Sequence, residues 1–470
     1  MRGRSRGLLP LVGSLVPASA ATVRTAAPVR TTSPVRPPGT ASPVPSGVAL
    51  PGPGPVARPP SRRRAGRRWE TLCWAAYAVF ALLLCLRTTV APHQVWGACA
   101  TVGYGLAALV ARLAARPWGP ASAAVAVVGS VLVPLVFLVA DGARQLEVTV
   151  VERSGRLLLD SGTPYVPDPA QLPDYNPYLP GMALFGLPRA VLGDVPLADA
   201  RLWFALVSLG AMGLAAALGR GPRRGSPSSV PGTGPQSTAR PLLRLATAPA
   251  VALPLAVGGV DLPVVALMCL ALVLAGRGGP VAAGLALGAA TSLKWTAWPL
   301  LPVGLALLAV TTGRRAAVRA GATAVTLAVL AVLPVALADP RAFTEHVLLF
   351  PLGEGGTGSP ATSPLPGHLL ATHVPGGFAL AVAALVLSAV AVAGSLVTRP
   401  PRTTVAAADR LALGLGIAMC LIPATRFGYV VYPLVLLGWF RLGPAGRWRP
   451  VDRGTEAHRI SLFTAKPLED

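Results

Sequence analysis

Six acidic side chains, Asp141, Glu147, Glu152, Asp160, Asp168 and Asp174, stand close together in the chain, beside Tyr165, Tyr175, Asn176 and Tyr178. A carboxylate within reach of a hydroxyl can take its proton as a bond forms, and amide and phenol groups nearby can hold a polar substrate. Glu147 is the first candidate for such a base. Its neighbours Val148, Val150 and Val151 would strip part of its water, and a partly desolvated carboxylate accepts a proton more readily. Asp141 and Glu152 are the alternatives, Asp141 standing at the very end of an apolar run, where it also simply marks an interface. A solvated amphipathic helix accounts for the same valines without any chemistry.

The elements that must position these groups are membrane helices. The chain has 470 residues, 53% of them hydrophobic and only 13% charged, with a mean hydropathy of +0.59. Soluble domains carry about 25% charged residues, so a soluble enzyme is excluded. Apolar runs near the roughly 20 residues that cross a bilayer as helix recur from Thr71 to Phe440. They predict an all-α polytopic membrane protein with about twelve spans: 71–88, 95–114, 120–140, 197–219, 241–258, 262–276, 279–293, 295–311, 318–338, 376–397, 408–424 and 427–440.

Charge sets the expected sidedness. The net charge of +23 would suit a nucleic-acid binder if it lay on one folded face, but twelve arginines precede Trp69 in a stretch that also holds thirteen prolines. Residues 1–69 therefore read as a disordered basic tail, and nucleic acid is not an expected partner. Arg2, Arg4 and Arg6 ahead of Gly7 to Val16 imitate a secretory signal, but cleavage there would leave Arg24 to Arg68 on the wrong side of the first span. The segment Asn176 to Gly193 is apolar but short and holds three prolines. If it crossed, Arg220, Arg223, Arg224, Arg240 and Arg244 would lie outside, against the positive-inside rule. It is therefore expected to lie along the outer interface as a helix. Both termini then fall in the cytoplasm, 441–470 as a second tail, and 141–196 and 339–375 become long outer loops. The inner stretch Gly221 to Arg240 reads as a flexible linker.

Cys73, Cys85, Cys99, Cys269 and Cys420 show no paired spacing, which predicts neither a disulfide framework nor a zinc site. His346, His368 and His373 share the second outer loop with Glu345 and Glu354, but no His-x3-His pair occurs, so no metal is expected. Glycines around these histidines predict a mobile flap over the substrate. No cofactor is expected, and no Gly-rich loop suggests a nucleotide-sugar site.

Glu147 through Tyr165, followed by Asn176-Pro-Tyr178-Leu-Pro180 and Ala200-Arg201-Leu202, resembles the first outer loop of the GT-C glycosyltransferases, and most closely glycosyltransferase family 87. In that family an acidic residue, usually Asp, opens the loop about 15 residues before a Gly and a Pro-Tyr. Counting back from Gly162 arrives at Glu147. Gly258-Gly-Val-Asp261, Ala283 to Gly288 and Ser292-Leu-Lys294-Trp295 resemble the family's paired spans. Tyr-Leu-Pro stands here where the family has Tyr-Pro-Pro, and Val151 where a Tyr is common.

The resemblance implies an inverting, metal-independent transfer of one sugar, mannose in this family, from a polyprenyl-phosphate donor to a glycolipid or glycan acceptor on the outer face. It makes Glu147 the base and calls for outer cations to meet the departing phosphate. Arg426, in Pro423-Ala-Thr-Arg-Phe-Gly-Tyr429, and Lys294 are the two most tightly framed by apolar sequence. The simpler explanation for both is a side chain snorkelling to the interface. Asp261 would orient a sugar hydroxyl or cap its helix, and Tyr165, Asn176 and Tyr178 would line the substrate. Tyr432 and Trp439 suit an interfacial aromatic belt as well as a sugar platform. A polytopic transporter or lipid flippase is the rival function, disfavoured because the spans are nearly free of ionisable groups.

Overall fold

The computed structural model describes residues 60–114, 117–219, 239–357 and 361–442. All described structure is helical apart from turns and one isolated parallel bridge, Thr362 to Thr425. The principal helices are α1 (Pro60–Arg87), α2 (Ala91–Leu113), α3 (Pro120–Asp141), α4 (Leu146–Ser161), α5 (Ala200–Leu218), α6 (Pro249–Val257), α7 (Asp261–Gly276), α8 (Pro280–Leu293), α9 (Leu300–Thr311), α10 (Arg314–Ala338), α11 (Gly377–Thr398), α12 (Thr404–Leu421) and α13 (Val431–Leu437). Seven of them, α1, α2, α3, α5, α10, α11 and α12, are long and apolar enough to cross a membrane.

The expected apolar segments are helical, with three departures. Helix α1 begins at Pro60, inside the stretch read as disordered. Proline suits the first helical position, where no amide hydrogen is needed, and Arg64 and Arg68 are exposed. The disordered tail is thus corrected for residues 60–69, while 1–59, the linker residues 220–238 and the tail 443–470 lie outside the described residues. The segment 241–258 is not one helix: Ala248 is extended (φ −64°, ψ 130°), as a residue before proline prefers. The break exposes the Thr247 carbonyl, which accepts a hydrogen bond from the Tyr104 hydroxyl at 2.7 Å. A similar repair occurs in α3, where Pro134 cannot donate to the Ser130 carbonyl and the Trp96 indole donates instead, at 2.7 Å.

Helix α7 is the innermost element, with nearly every side chain from Leu262 to Ala275 buried, as expected of a helix apolar on all faces. Small residues bring other elements close. A Cβ on Gly103 of α2 would fall 2.6 Å from Gly129 Cα in α3. The segment Asn176 to Gly193 is not the one helix expected: it folds as a 3-10 turn, Pro180–Gly186, and a short helix, Leu187–Leu192. Met182, Ala183 and Phe185 are buried, because a Gly155–Gly186 contact lets α4 lie directly on this turn.

Candidate active site

Four shorter apolar helical segments, Asp261–Gly276, Pro280–Leu293, Trp295–Thr311 and Phe427–Arg441, each start or stop at or beside Asp261, Lys294 or Arg426. Asp261 opens α7, where the helix dipole favours an acid. Lys294 follows α8 in extended conformation. Its ammonium lies 2.5 Å from Asp261 Oδ1 and over the rings of Tyr178 and Tyr429, at 5.5 and 5.0 Å from their centroids. The Tyr432 hydroxyl donates to the same Asp261 oxygen at 2.6 Å, and Thr296 Oγ1 donates to the Tyr432 hydroxyl at 2.6 Å.

Glu147 enters this neighbourhood from the first turn of α4. The approach is fixed by Gln145, whose side-chain amide donates to the Gly258 carbonyl at 3.0 Å; His93 of α2 lies 3.4 Å from the other end of that amide. Gly258 has φ +89°, and a Cβ there would strike both Val148 and Arg201, so glycine is required where α6 turns into α7 beneath α4. The Glu147 carboxylate pairs with the Arg426 guanidinium at 2.8 Å, with side chains 27% and 39% exposed. Among the described residues this is the one place where a candidate base, still reachable from solvent, meets a cation.

The segment from Ala361 to His368 holds Arg426 in place. Thr425 donates its N–H to the Ala361 carbonyl at 2.9 Å and accepts from Ser363 N–H at 3.0 Å. Phe427 N–H donates to Ser363 Oγ at 3.0 Å, and the His368 ring meets the Pro423 carbonyl at 2.8 Å. His368 is thereby tied into a backbone contact, as His346 is through the Asn176 N–H and the Val166 carbonyl, and among the described residues no group of three His, Cys, Asp or Glu side chains is placed to hold a metal.

Several expected site residues turn out to build the frame. Tyr165 is fully buried and donates its hydroxyl to the Tyr178 carbonyl at 2.9 Å. Asn176 is 3% exposed; its amide donates to Ser154 Oγ and the Pro164 carbonyl, and its oxygen accepts from Tyr178 N–H. Neither can touch a substrate directly, because every polar atom is already engaged and covered. Tyr178, whose ring faces Lys294, remains at the site. Glu152 is also committed elsewhere: it accepts the Ala200 N–H at 3.1 Å and faces Arg144 at 3.3 Å. Burial pushes its carboxyl above the usual range, and the Ala200 N–H and Arg144 do not cancel that effect. Asp141 is exposed at the end of α3. Tyr432 and Trp439 are 1% and 2% exposed, which corrects the aromatic-belt expectation for both; Tyr432 is instead part of the Asp261 network.

Tyr429, Thr296 and Gln145 were not foreseen, nor was the bond from Tyr432 to Asp261. Tyr429 and Tyr432 are three residues apart just after Arg426, a spacing that puts both on one helical face, so a signal existed. Thr296 and Gln145 carried none beyond adjacency to Lys294 and Glu147.

An all-α polytopic membrane protein thus brings a carboxylate–guanidinium pair and a buried lysine together at the ends of short helices. The family model for glycosyltransferase family 87 matches residues 176–423, more than half of the chain, and the protein belongs to that family. The match begins at Asn176 and takes in Tyr178, Asp261 and Lys294; Glu147 lies upstream of it and Arg426 just beyond its end. No curated protein and no solved structure matches the chain.

Proposed function

We propose that the protein transfers a sugar, mannose being the one its family resemblance favours, from a polyprenyl-phosphate donor to a hydroxyl of a glycolipid or glycan at the outer face of the membrane. The acceptor oxygen attacks the anomeric carbon as the bond to the phosphate oxygen breaks. The acceptor proton passes to Glu147, and the lipid phosphate leaves with the bonding electrons and is met by Arg426 and Lys294. A single displacement inverts the anomeric configuration. The two cations answer the phosphate charge, so no metal enters the scheme.

The observation that carries this reading is the 2.8 Å contact between Glu147 and Arg426, beside Lys294. A phosphate arriving at Arg426 competes with the carboxylate for the guanidinium, and so frees Glu147 for the acceptor hydroxyl. In this scheme Asp261, expected from sequence to orient a sugar hydroxyl or to cap its helix, fixes the Lys294 ammonium at the site together with Tyr432. Family membership sets aside the transporter and flippase alternatives.

Radiolabelled polyprenyl-phosphate mannose incubated with membranes containing the protein should yield labelled product with wild type and not with Glu147→Gln. Equal incorporation by both removes Glu147 as base. Sidedness rests on the arginine distribution. A cysteine at Ser161 should react with an impermeant thiol reagent in intact cells, and one at Ser229 should not; the opposite pattern places the site on the inner face.

A further inference from the structure

His346 belongs to the second outer loop but is fully buried, against Tyr165, Tyr175 and the turn that follows Asp174. Its ring stacks on Tyr165 at 5.3 Å between centroids and tilts against Tyr175 at 5.4 Å. Both nitrogens are engaged. Nδ1 accepts the Asn176 N–H at 2.9 Å, and Nε2 stands 2.8 Å from the Val166 carbonyl. A carbonyl can only accept and an amide N–H can only donate, so the two partners together dictate one tautomer: Nε2 carries the hydrogen and Nδ1 is bare.

The bond to Asn176 leads to the site. Asn176 Oδ1 accepts the Tyr178 N–H at 3.1 Å, the Tyr178 ring lies under the Lys294 ammonium, and the Leu179 N–H donates to the Leu293 carbonyl at 3.1 Å, next to Lys294. On the other side, Tyr175 donates to Glu345 at 3.1 Å, accepts from the Gly356 N–H at 2.9 Å and stacks on Phe350 at 4.3 Å. The loop that was expected to be a free flap is pinned here to the first outer loop.

We propose that His346, in its neutral form only, is a positioning residue that latches the second outer loop onto the Asn176 to Tyr178 turn and so holds Tyr178 and Lys294 in place for sugar transfer. The coupling to transfer rests on the function proposed above; the latch itself does not. A proton on Nδ1 replaces an acceptor with a donor facing the Asn176 N–H, which breaks the bond. The charged groups facing the ring are Glu345 on its own element, Arg153 on α4 and Asp174 on the turn, with Tyr165 and Tyr175 the other titratable neighbours. Burial holds the imidazole pKa below its ordinary value, and this outweighs the Val166 carbonyl and Glu345, which act the other way. The latch is therefore intact at neutral pH and opens below the ordinary histidine range.

The test is hydrogen exchange of the Asn176 segment in the full-length protein, read at about pH 7.5 and about pH 4, the acid reading set well below the ordinary histidine value because burial lowers that of His346. His346→Asn and His346→Ala are the variants, each compared with wild type at the same pH. Asn offers an acceptor where Nδ1 stood and does not titrate. Wild type should lose about tenfold in protection on acidification beyond the loss in His346→Asn, the size expected of one opened hydrogen bond, and His346→Ala should be unprotected at both values. Wild type and His346→Asn responding alike to pH, or His346→Asn as open as His346→Ala at neutral pH, overturns the latch. Transfer from polyprenyl-phosphate mannose, measured on the same samples, should fall with protection in wild type and hold in His346→Asn. Transfer that stays level while protection collapses overturns the coupling. Wild type inactive with this donor counts against the function proposed above, and the exchange data still decide the latch.

Discussion

Glu147 and Glu152 stand on the same helix, and their surroundings give them opposite tasks. Glu147, in the first turn of α4, meets one cation, Arg426, and keeps a quarter of its side chain open. Glu152, little more than a turn further on, is 8% exposed and caps the start of α5 through the Ala200 N–H. Beside it Arg144 also reaches Asp199 at 3.5 Å, and Asp199 binds the fully buried Arg201 through two oxygens, at 2.8 and 2.7 Å. Arg201 then donates to the Ala143 and Leu138 carbonyls, joining α3, α4 and α5. Sequence proximity to an acidic cluster says nothing about function; a carboxylate becomes available to chemistry when its oxygens are not already taken by the frame.

Glu147→Gln is the largest test of that contrast. It preserves size and a hydrogen bond to Arg426 but cannot take a proton, so transfer should fall by ~10² to 10⁴ with the unfolding midpoint unchanged. A variant that transfers at the wild-type rate would return the base to Asp141. Arg426→Met should reduce transfer by ~10² to 10³, the loss found when one charge-stabilising group is removed, and Arg426→Lys should recover part of it. Full activity in Arg426→Met would leave Lys294 as the only phosphate partner.

The Arg201 side of the comparison is read in stability. Arg201→Met leaves Asp199 buried with the longer contact to Arg144 and the backbone N–H of residue 201 but without its guanidinium partner, and breaking a buried pair in this way costs about 3 to 5 kcal/mol. Thermal unfolding of the purified protein should shift down accordingly, while the transfer rate per folded molecule is retained. A fold that tolerates Arg201→Met while losing transfer would place Arg201 in the site.

The apolar pattern made the helices legible, because burial in lipid or core leaves a signature in every residue of a span. The four groups that meet at the candidate site, Glu147, Asp261, Lys294 and Arg426, were also individually legible, as ionisable side chains framed by apolar sequence. Their pairing was not. Glu147 and Arg426 are 279 residues apart, and nothing local in either segment encodes the other. Tyr165 and Asn176 were misplaced for the same reason: whether a polar side chain in a loop faces substrate or frame depends on the second loop packing over it, through His346. Helix α1 was shortened in the reading because a run of arginines and prolines resembles a solvated tail until Pro60 is recognised as a helix start.

Glu152→Gln is the smallest effect expected and the one that most sharpens the comparison. Because burial raises the folded-state pKa of Glu152, the unfolded chain releases its proton at lower pH than the folded protein does. Whatever stability the protonated side chain provides is present below the ordinary glutamate range and is lost as pH rises through the folded value. At neutral pH the ionised Glu152 is therefore a burden that its contacts only partly offset. Glutamine retains an oxygen for the Ala200 N–H and carries no charge, while Arg144 keeps Asp199 as partner. The variant should thus unfold no earlier than wild type at neutral pH, and the difference between the two midpoints should shrink as pH falls into the carboxylate range. Transfer should be unaffected. A loss of stability in Glu152→Gln that grows with pH would mean that the ion pairs around Glu152 outweigh its desolvation, and that the buried half of the comparison is held together by charge after all.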